Sequence, residues 1–180
     1  MVSAIVDHDT TEANEVAQPR EGSLEDLYVR HAPEAVRLAF LLTSDVALAE
    51  DITQEAFIRV AGRFRHLRSP GAFDAYLRRT VVNLCMSHHR RRRVERTYLE
   101  RERTRPERAA EQPDLAARDE LRRAMQSLPM RQRAAVVLRY YADLPEQQVA
   151  DTLGCSVSAA RSLVFRAMET LRTTIGSKER

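Results

Sequence analysis

The stretch EQQVADTLGCSVSAARSLVFRAMETLR, residues 146–172, holds two helical patterns separated by Gly154, Cys155 and Ser156. Glycine readily closes a helix with a positive φ, and serine can cap the helix that follows. A short amphipathic helix, a tight turn and a longer helix with three arginines predict a helix-turn-helix. In that motif the second helix enters the major groove of DNA.

The longer helix has two faces. Spacings of three and four residues predict an inward face made of Val157, Ala160, Val164, Ala167, Met168 and Leu171. The outward face carries Arg161, Ser162, Phe165 and Arg166. An exposed phenylalanine needs a partner for its apolar surface, and a thymine methyl in the major groove is one, while arginine pairs with guanine O6 and N7. This face therefore predicts base recognition, and the competing interpretation places Phe165 in the core.

Helical spacing continues through the remainder of the chain, with no strand-like alternation, so an all-α fold of two small domains is expected. Pro33 interrupts the first helix and predicts a kink or a new start. Ser44 or Asp45 can cap the second helix. A turn is predicted over residues 68–73, and a third helix follows it and ends in the arginines of residues 90–93.

Composition divides the chain into four segments. Residues 1–22 are predicted to be a disordered acidic tail, 23–93 a first helical domain, 94–114 a flexible charged linker, and 115–175 the helix-turn-helix domain. The net charge is only +3, but residues 88–108 hold nine arginines against four glutamates. Such a basic run is typical of a nucleic-acid contact, and the alternative is a solvated arginine-rich linker.

Several function classes are disfavoured. Two cysteines predict no disulfide framework and a reducing cytoplasm. No apolar run approaches the ~20 residues of a membrane span, so no membrane insertion is expected. Cys85 beside two histidines lacks a complete set of four metal ligands. With no glycine-rich phosphate loop and no activated nucleophile, neither an enzyme nor a cofactor is predicted.

Two longer stretches resemble a known family, the extracytoplasmic-function sigma factors of bacterial RNA polymerase. SLPMRQRAAVVLRYYADLPEQQVADTLGCSVSAARSLVFRAMETLR, residues 127–172, resembles their C-terminal domain, sigma domain 4. Residues 49–93 resemble their other domain, sigma domain 2, through the stretches DITQEAFIRV and FDAYLRRTVVN. The resemblance covers residues 23–173 in the family's order. It implies a promoter-specificity subunit that performs no covalent chemistry itself.

The resemblance also implies roles for single residues. The helix that docks on the clamp of the polymerase's largest subunit matches Asp51, Gln54, Glu55 and Phe57, although Phe57 fits a core position equally well. The element that opens and reads the minus-ten promoter region matches Tyr76, Arg78, Arg79 and Asn83, followed by phosphate-binding Arg90 and Arg91. Aromatic stacking, an amide for a base edge and arginines for phosphates suit unstacked single strands. Tyr76 fits a core aromatic position as well.

In sigma domain 4 the minus-thirty-five positions match Arg161, Ser162, Phe165 and Arg166. Leu163 departs from the pattern, because many family members carry a basic residue there. The implied partners are promoter DNA, the polymerase core, through the clamp and the flap of the second-largest subunit, and an anti-sigma factor. The alternative function is a stand-alone helix-turn-helix regulator. That interpretation leaves residues 46–93 without a role, and no dimerisation seam is evident.

Overall fold

The computed structural model describes residues 24–62, 70–99 and 116–176. Within these ranges the regular structure consists of helices. Within these ranges no strand occurs, which confirms the predicted all-α class. The tail predicted over 1–22 and residues 100–114 of the predicted linker lie outside the described residues. The helices are α1 Leu24–Thr43, α2 Val46–Ala61, α3 Pro70–Leu99, α4 Ala116–Ser127, α5 Met130–Val136, α6 Glu146–Leu153 and α7 Val157–Gly176.

The first two helices meet at a capped corner. Asp45, one of the two predicted caps, accepts a hydrogen bond from the backbone N–H of Leu48 at 3.1 Å. Ser44 instead has a φ of 58° and turns the chain between the helices. Pro33 starts no new helix, because α1 continues across it with the proline on its exposed side.

The third helix is longer at both ends than the sequence predicts. It begins at Pro70, so residues 70–73 of the predicted turn are helical, and proline suits a first helical turn because no N–H is needed there. It continues six residues beyond Arg93, to Leu99. Arginine and glutamate are good helix formers, and the next proline is Pro106, so the predicted end at residue 93 is wrong. The domain boundary at that position stays a prediction.

Gly154 and Ser156 form the turn between α6 and α7. Gly154 has φ 60° and ψ 49°, the left-handed conformation predicted for it, and its N–H bonds the carbonyls of Ala150 and Asp151. The Ser156 hydroxyl accepts from the N–H of Ala159 at 3.2 Å and so caps α7. The predicted helix-turn-helix is present with both of its turn residues in the expected roles.

A π-helical turn, Val137–Tyr141, continues α5, where the sequence predicts an ordinary helix to Tyr141. The wide turn ends with the N–H of Ala142 on the Val137 carbonyl at 3.0 Å and that of Leu144 on the Leu138 carbonyl at 3.1 Å. Leu138 and Leu144 are both buried. The irregular segment thereby keeps its apolar residues in the core before α6 begins.

One apolar cluster joins the two predicted domains. It contains Leu42, Phe73 and Val82 from the first half and Leu138 and Val149 from the second. Helix α3 contacts α5 and α6, and α1 contacts α5 and the π-helical turn. A second cluster, formed by Ala124, Leu128, Val136, Ala167 and Leu171, fastens the C-terminal part of α7 to α4 and α5.

Arg133 of α5 ties the two halves together from within this core. It is 5% exposed, and its Nη1 donates to the Leu42 carbonyl at 2.7 Å. Its Nη2 donates to the Gln126 carbonyl at 2.6 Å and the Leu128 carbonyl at 3.4 Å. These carbonyls lie at the C-terminal ends of α1 and α4, where cations are favoured. Burial lowers the pKa of Arg133 from its usual value, but an arginine remains charged at neutral pH.

Candidate nucleic-acid and polymerase interfaces

The outward face of α7 gathers all four of its predicted residues. Arg161, Ser162, Phe165 and Arg166 are exposed and together line a shallow hollow of about 420 Å³. Phe165 is 66% exposed, so the competing prediction that places it in the core is wrong. On the opposite side, Ala160, Ala167 and Leu171 are buried. An aromatic ring flanked by two arginines on a convex helix fits a major groove.

The two arginines of this face have their guanidinium groups oriented by different partners. Arg161 donates from Nε to Glu146 Oε2 at 2.5 Å, which links α7 to the start of α6. Arg166 donates from Nε to the carbonyl of Ser162, one turn earlier in its own helix, at 3.1 Å. The Glu146 contact was not predicted from the sequence, because the two residues are far apart along the chain and meet only through the helix-turn-helix geometry.

Leu163, where the sequence departs from the family pattern, lies on a different side of α7. Its side chain is partly buried and packs against the shared apolar cluster. It therefore lies outside the hollow formed by the four exposed residues. Its position accounts for a leucine there without any reference to DNA.

On α3, three predicted residues form one stripe. Tyr76, Arg79 and Asn83 follow one another at spacings of three and four residues, which places them on the same side of a helix. Arg79 and Asn83 are exposed, whereas Tyr76 is partly buried against the apolar cluster. Arg90 continues the stripe two turns further on, and Arg91 lies beside it, both exposed. An aromatic ring, an amide and cations thus share one face.

Arg78 lies off this stripe, on the side of α3 that faces α1. It lines a small pocket with His31, Glu34 and Asp74, between α1 and α3. His31 Nδ1 lies 2.8 Å from Asp74 Oδ1 and links the same two helices. Arg78 also borders the wider cleft between α3 and α6, so the structure brings it near the other minus-ten residues without placing it on their stripe.

The cleft between α3 and α6 has a volume of about 610 Å³. Tyr76 and Arg79 line it from the first half, and Gln148, Asp151 and Thr152 line it from the helix-turn-helix. Arg79 Nη2 lies 4.0 Å from the place that a Cβ atom on Gly154 would take. In this arrangement Tyr76 and Arg79, at one end of the α3 stripe, face α6, the first helix of the helix-turn-helix.

The outward face of α2 is acidic with one large apolar side chain. Asp51, Gln54 and Glu55 are exposed on it, and Glu55 pairs with Arg59 at 2.5 Å. Ile58, one turn beyond Gln54, is 73% exposed. Its exposure is not predictable from the sequence, because one more aliphatic residue in an amphipathic helix gives no signal of exposure.

Phe57 does not belong to that outward face. It is 5% exposed, and its ring lies edge-on to Tyr28 at 4.8 Å between centroids and tilted against Phe73 at 6.2 Å. Of the two positions that the sequence allows for Phe57, the structure selects the core. Its inclusion among the surface residues for polymerase binding is therefore corrected, since a buried ring offers no contact area to a partner.

Among the residues that the structure describes, no cluster of three or more histidine, cysteine or acidic side chains is placed to hold a metal ion. Burial raises the pKa of the Cys85 thiol to about 12, so it stays protonated at neutral pH and is inert. In the same ranges, no helix has the length and apolarity that crossing a bilayer requires.

The fold and these surfaces define a helix-turn-helix protein with a second helical half that carries an aromatic and basic stripe. Residues 27–95 match the model of sigma-70 region 2, and residues 118–171 match that of sigma-70 region 4. The chain therefore belongs to the extracytoplasmic-function sigma factors, alternative sigma subunits that direct transcription initiation by bacterial RNA polymerase.

Curated relatives agree with this family. The chain is 32% identical to the RNA polymerase sigma-E factor of Streptomyces coelicolor, over 84% of this chain and 86% of the relative. It is 33% identical to the sigma factor CarQ of Myxococcus xanthus, over 88% of this chain and 92% of that relative. It is 35% identical to the ECF sigma factor SigE of Mycolicibacterium smegmatis, over 83% of this chain but only 60% of that longer relative.

Two solved structures share the fold. The sigma factor RpoE of Bartonella quintana, in complex with the anti-sigma factor NepR, superposes with a TM-score of 0.69 at 22% identity, covering 84% of this chain and 96% of that one. CnrH, in complex with the cytosolic domain of CnrY, superposes with a TM-score of 0.61 at 21% identity, covering 88% and 90%.

Proposed function

We propose that this sigma factor reads the minus-thirty-five element with the exposed face of α7. One observation carries the proposal: Arg161, Ser162, Phe165 and Arg166 are all exposed side by side on the outer face of α7, the second helix of the helix-turn-helix. The arginines supply donors for guanine, and the Phe165 ring supplies apolar contact for a thymine methyl. The other side of the helix is held by Ala160, Ala167 and Leu171 in the core, so the face is rigid.

The stripe on α3 is proposed to hold the minus-ten region as a single strand. Asn83 is exposed and has an amide that can bond a base edge, and Tyr76 offers a ring for stacking. Arg79, Arg90 and Arg91 supply charge for the phosphates, and Arg78 borders the same cleft. Binding of an unstacked strand lowers the free energy of the open duplex, which is how a protein without covalent chemistry assists melting.

The outward face of α2 is proposed to bind the clamp of the polymerase's largest subunit. Asp51, Gln54 and Glu55 present acidic and polar groups to a basic partner. Phe57 is buried in the core, so exposed Ile58 is proposed as the apolar side chain that becomes buried in the interface. The C-terminal domain of this chain, residues 115–175, is proposed to bind the flap of the polymerase's second-largest subunit.

Promoter binding requires the two halves to separate. The two elements lie about 25 base pairs apart, which is about 85 Å of B-form DNA. In the structure the α3 stripe and α6 border one cleft. Residues 100–115 join the halves and can span about 55 Å when fully extended, so the dimensions of the two halves must cover the remaining distance. We infer that the arrangement described here is the closed form and that polymerase and DNA hold an open one.

Regulation and location follow from the family. One structural neighbour, the sigma factor RpoE of Bartonella quintana, is bound to the anti-sigma factor NepR. A similar inhibitor is proposed for this chain, with action in the cytoplasm, where polymerase and promoter DNA are found. Binding and melting, without covalent catalysis, make up the proposed activity.

Transcription in vitro tests the proposal. The purified chain is mixed with bacterial core polymerase that lacks any sigma subunit, over a pool of genomic promoter fragments. Initiation that depends on the chain, at starts with a shared upstream motif, is the expected result. If no initiation occurs and the chain alone shifts duplex DNA, a stand-alone regulator replaces the proposal, and the α2 face and α3 stripe need another role.

A further inference from the structure

Glu146 approaches the proposed DNA-reading face from another helix. It is the first residue of α6, and its Oε2 accepts from Nε of Arg161, in the second turn of α7, at 2.5 Å. The side chains are 65% exposed for Arg161 and 43% exposed for Glu146. The contact spans the helix-turn-helix, so it orients Arg161 relative to the motif as a whole.

Arg161 uses its Nε for the contact with Glu146, which determines which of its N–H donors remain for DNA. A guanidinium has five N–H donors, one on Nε and two on each terminal nitrogen. Bonding through Nε fixes the plane of the group and leaves the terminal nitrogens, which form bidentate pairs with guanine. Among the residues that the structure describes, neither terminal nitrogen of Arg161 donates a hydrogen bond, so both remain for a ligand.

A purely structural role is a weak explanation of the pair. Exposed ion pairs contribute little to stability, and a glutamate in the first turn of α6 is already stabilised by the helix dipole without Arg161. A carboxylate next to a DNA-reading face also repels phosphates. That repulsion is a cost to DNA binding, and orientation of the reading arginine offsets it.

We propose that Glu146 is a positioning residue for promoter recognition, which holds the Arg161 guanidinium in the plane needed to read one base pair. The inference rests on the proposed role of α7 in the minus-thirty-five element. Arg166, held by the Ser162 carbonyl instead, reads a different base pair and does not depend on Glu146.

Selection from a randomised minus-thirty-five library tests this. Holoenzyme is assembled from core polymerase and the full chain, and bound promoters are sequenced to obtain the preference at each position. For Glu146→Ala, discrimination should fall about 3- to 10-fold at one position, the same position that Arg161→Ala affects, because the guanidinium is retained but is no longer held in the plane of a bidentate pair with guanine. Arg166→Ala should affect another position. The double variant Glu146→Ala/Arg161→Ala should match Arg161→Ala alone.

Two further variants separate orientation from charge. Glu146→Gln keeps an acceptor for Nε and should retain more discrimination than Glu146→Ala. Asp143→Asn removes an equal charge from an exposed carboxylate that lies 3.6 Å from Arg139, outside the α7 face, and it should leave every preference unchanged. If Glu146→Ala and Glu146→Gln instead tighten binding to all sequences equally, the effect is repulsion alone and the proposal is wrong.

The proposed function can fail separately from this inference. Wild-type holoenzyme that selects no minus-thirty-five sequence would overturn the role of α7, and the inference with it. Wild-type selection that responds to Arg161→Ala but not to Glu146→Ala would overturn the positioning role alone.

Discussion

Phe165 shows how one residue can matter for recognition and little for folding. Its ring is 66% exposed on a helix whose opposite side fills the core. Removing an exposed side chain changes the free energy of unfolding by no more than about 0.5 kcal/mol. Loss of an apolar base contact, by contrast, is worth about 1–3 kcal/mol at one position of a DNA site.

We expect Phe165→Ala to lower discrimination for the minus-thirty-five element about 10-fold, because each kilocalorie lost from one base contact appears directly in the specificity ratio. Core polymerase binding and thermal unfolding should stay as in the wild type. Transcription from matched and minus-thirty-five-substituted promoters measures the first effect. Tyr141→Ala, at an exposed aromatic of the π-helical turn, is the matched control. An equal loss of polymerase binding in Phe165→Ala would contradict its assigned role.

At the scale of elements, α2 separates a stability face from a binding face. Phe57→Ala should destabilise the fold by about 3–5 kcal/mol, because it empties a buried position between Tyr28 and Phe73. Ile58→Asp should leave unfolding unchanged and weaken core polymerase binding by about 10-fold or more, as for an interface anchor. Denaturant titration and fluorescence anisotropy with core polymerase measure the two effects.

The control for Ile58 is Leu121→Asp, at another exposed aliphatic residue in the second half of the chain. It should affect neither stability nor clamp binding. If Ile58→Asp binds core polymerase as tightly as the wild type, the clamp contacts another face of the first half, and Asp51, Gln54 and Glu55 lose their proposed role with it.

The stripe on α3 has a test of its own. Asn83→Ala should reduce transcription from a fully paired promoter several-fold more than from one already melted over the minus-ten region, because the amide is proposed to bind an unpaired base. Its side chain is exposed, so the fold should be unaffected. Gln126→Ala, at an exposed amide of α4 away from the stripe, is the control. Equal defects on both templates would show that Asn83 takes no part in melting.

These elements also show what sequence patterns can and cannot predict. Gly154, Ser156 and Asp45 are local signals, since each acts on the backbone within a few residues, and the structure places each as predicted. The π-helical turn depends on where Leu138 and Leu144 must lie in the core, which no local pattern contains. Phe57 and Ile58 are adjacent apolar residues in one helix, and only the packing of α1 and α3 determines which is buried.

For the candidate sites the same distinction holds. The four residues of α7 were predictable, because spacings of three and four residues on one helix define a face. The roles of Glu146 and Arg133 were not predictable. Glu146 lies 15 residues from its partner Arg161 along the chain, and Arg133 lies 91 residues from Leu42. Long-range hydrogen bonds of this kind follow from the tertiary arrangement alone.

At the scale of the whole molecule, Arg133 links the two halves of the chain by its hydrogen bond to the Leu42 carbonyl. Arg133→Met should lower the free energy of unfolding by about 2–4 kcal/mol, because two buried carbonyls and one partly buried carbonyl lose a charged donor. It should also increase the radius of gyration in X-ray scattering, since the link to α1 is lost. Arg131→Met, which loses one bond to Leu153 within the second half, is the control and should keep the wild-type dimensions. An unchanged melting temperature and radius would contradict the role of Arg133.

The apolar cluster shared by the two halves sets a limit on how tightly the free chain binds polymerase. If only the open form binds, the observed dissociation constant is the intrinsic one divided by the open fraction. With about 1% of molecules open, affinity would be about 100-fold weaker than the contacts alone provide. Natural substitutions in the cluster would then adjust how strongly this sigma factor competes for a limited supply of core enzyme, without altering any residue that contacts polymerase or DNA.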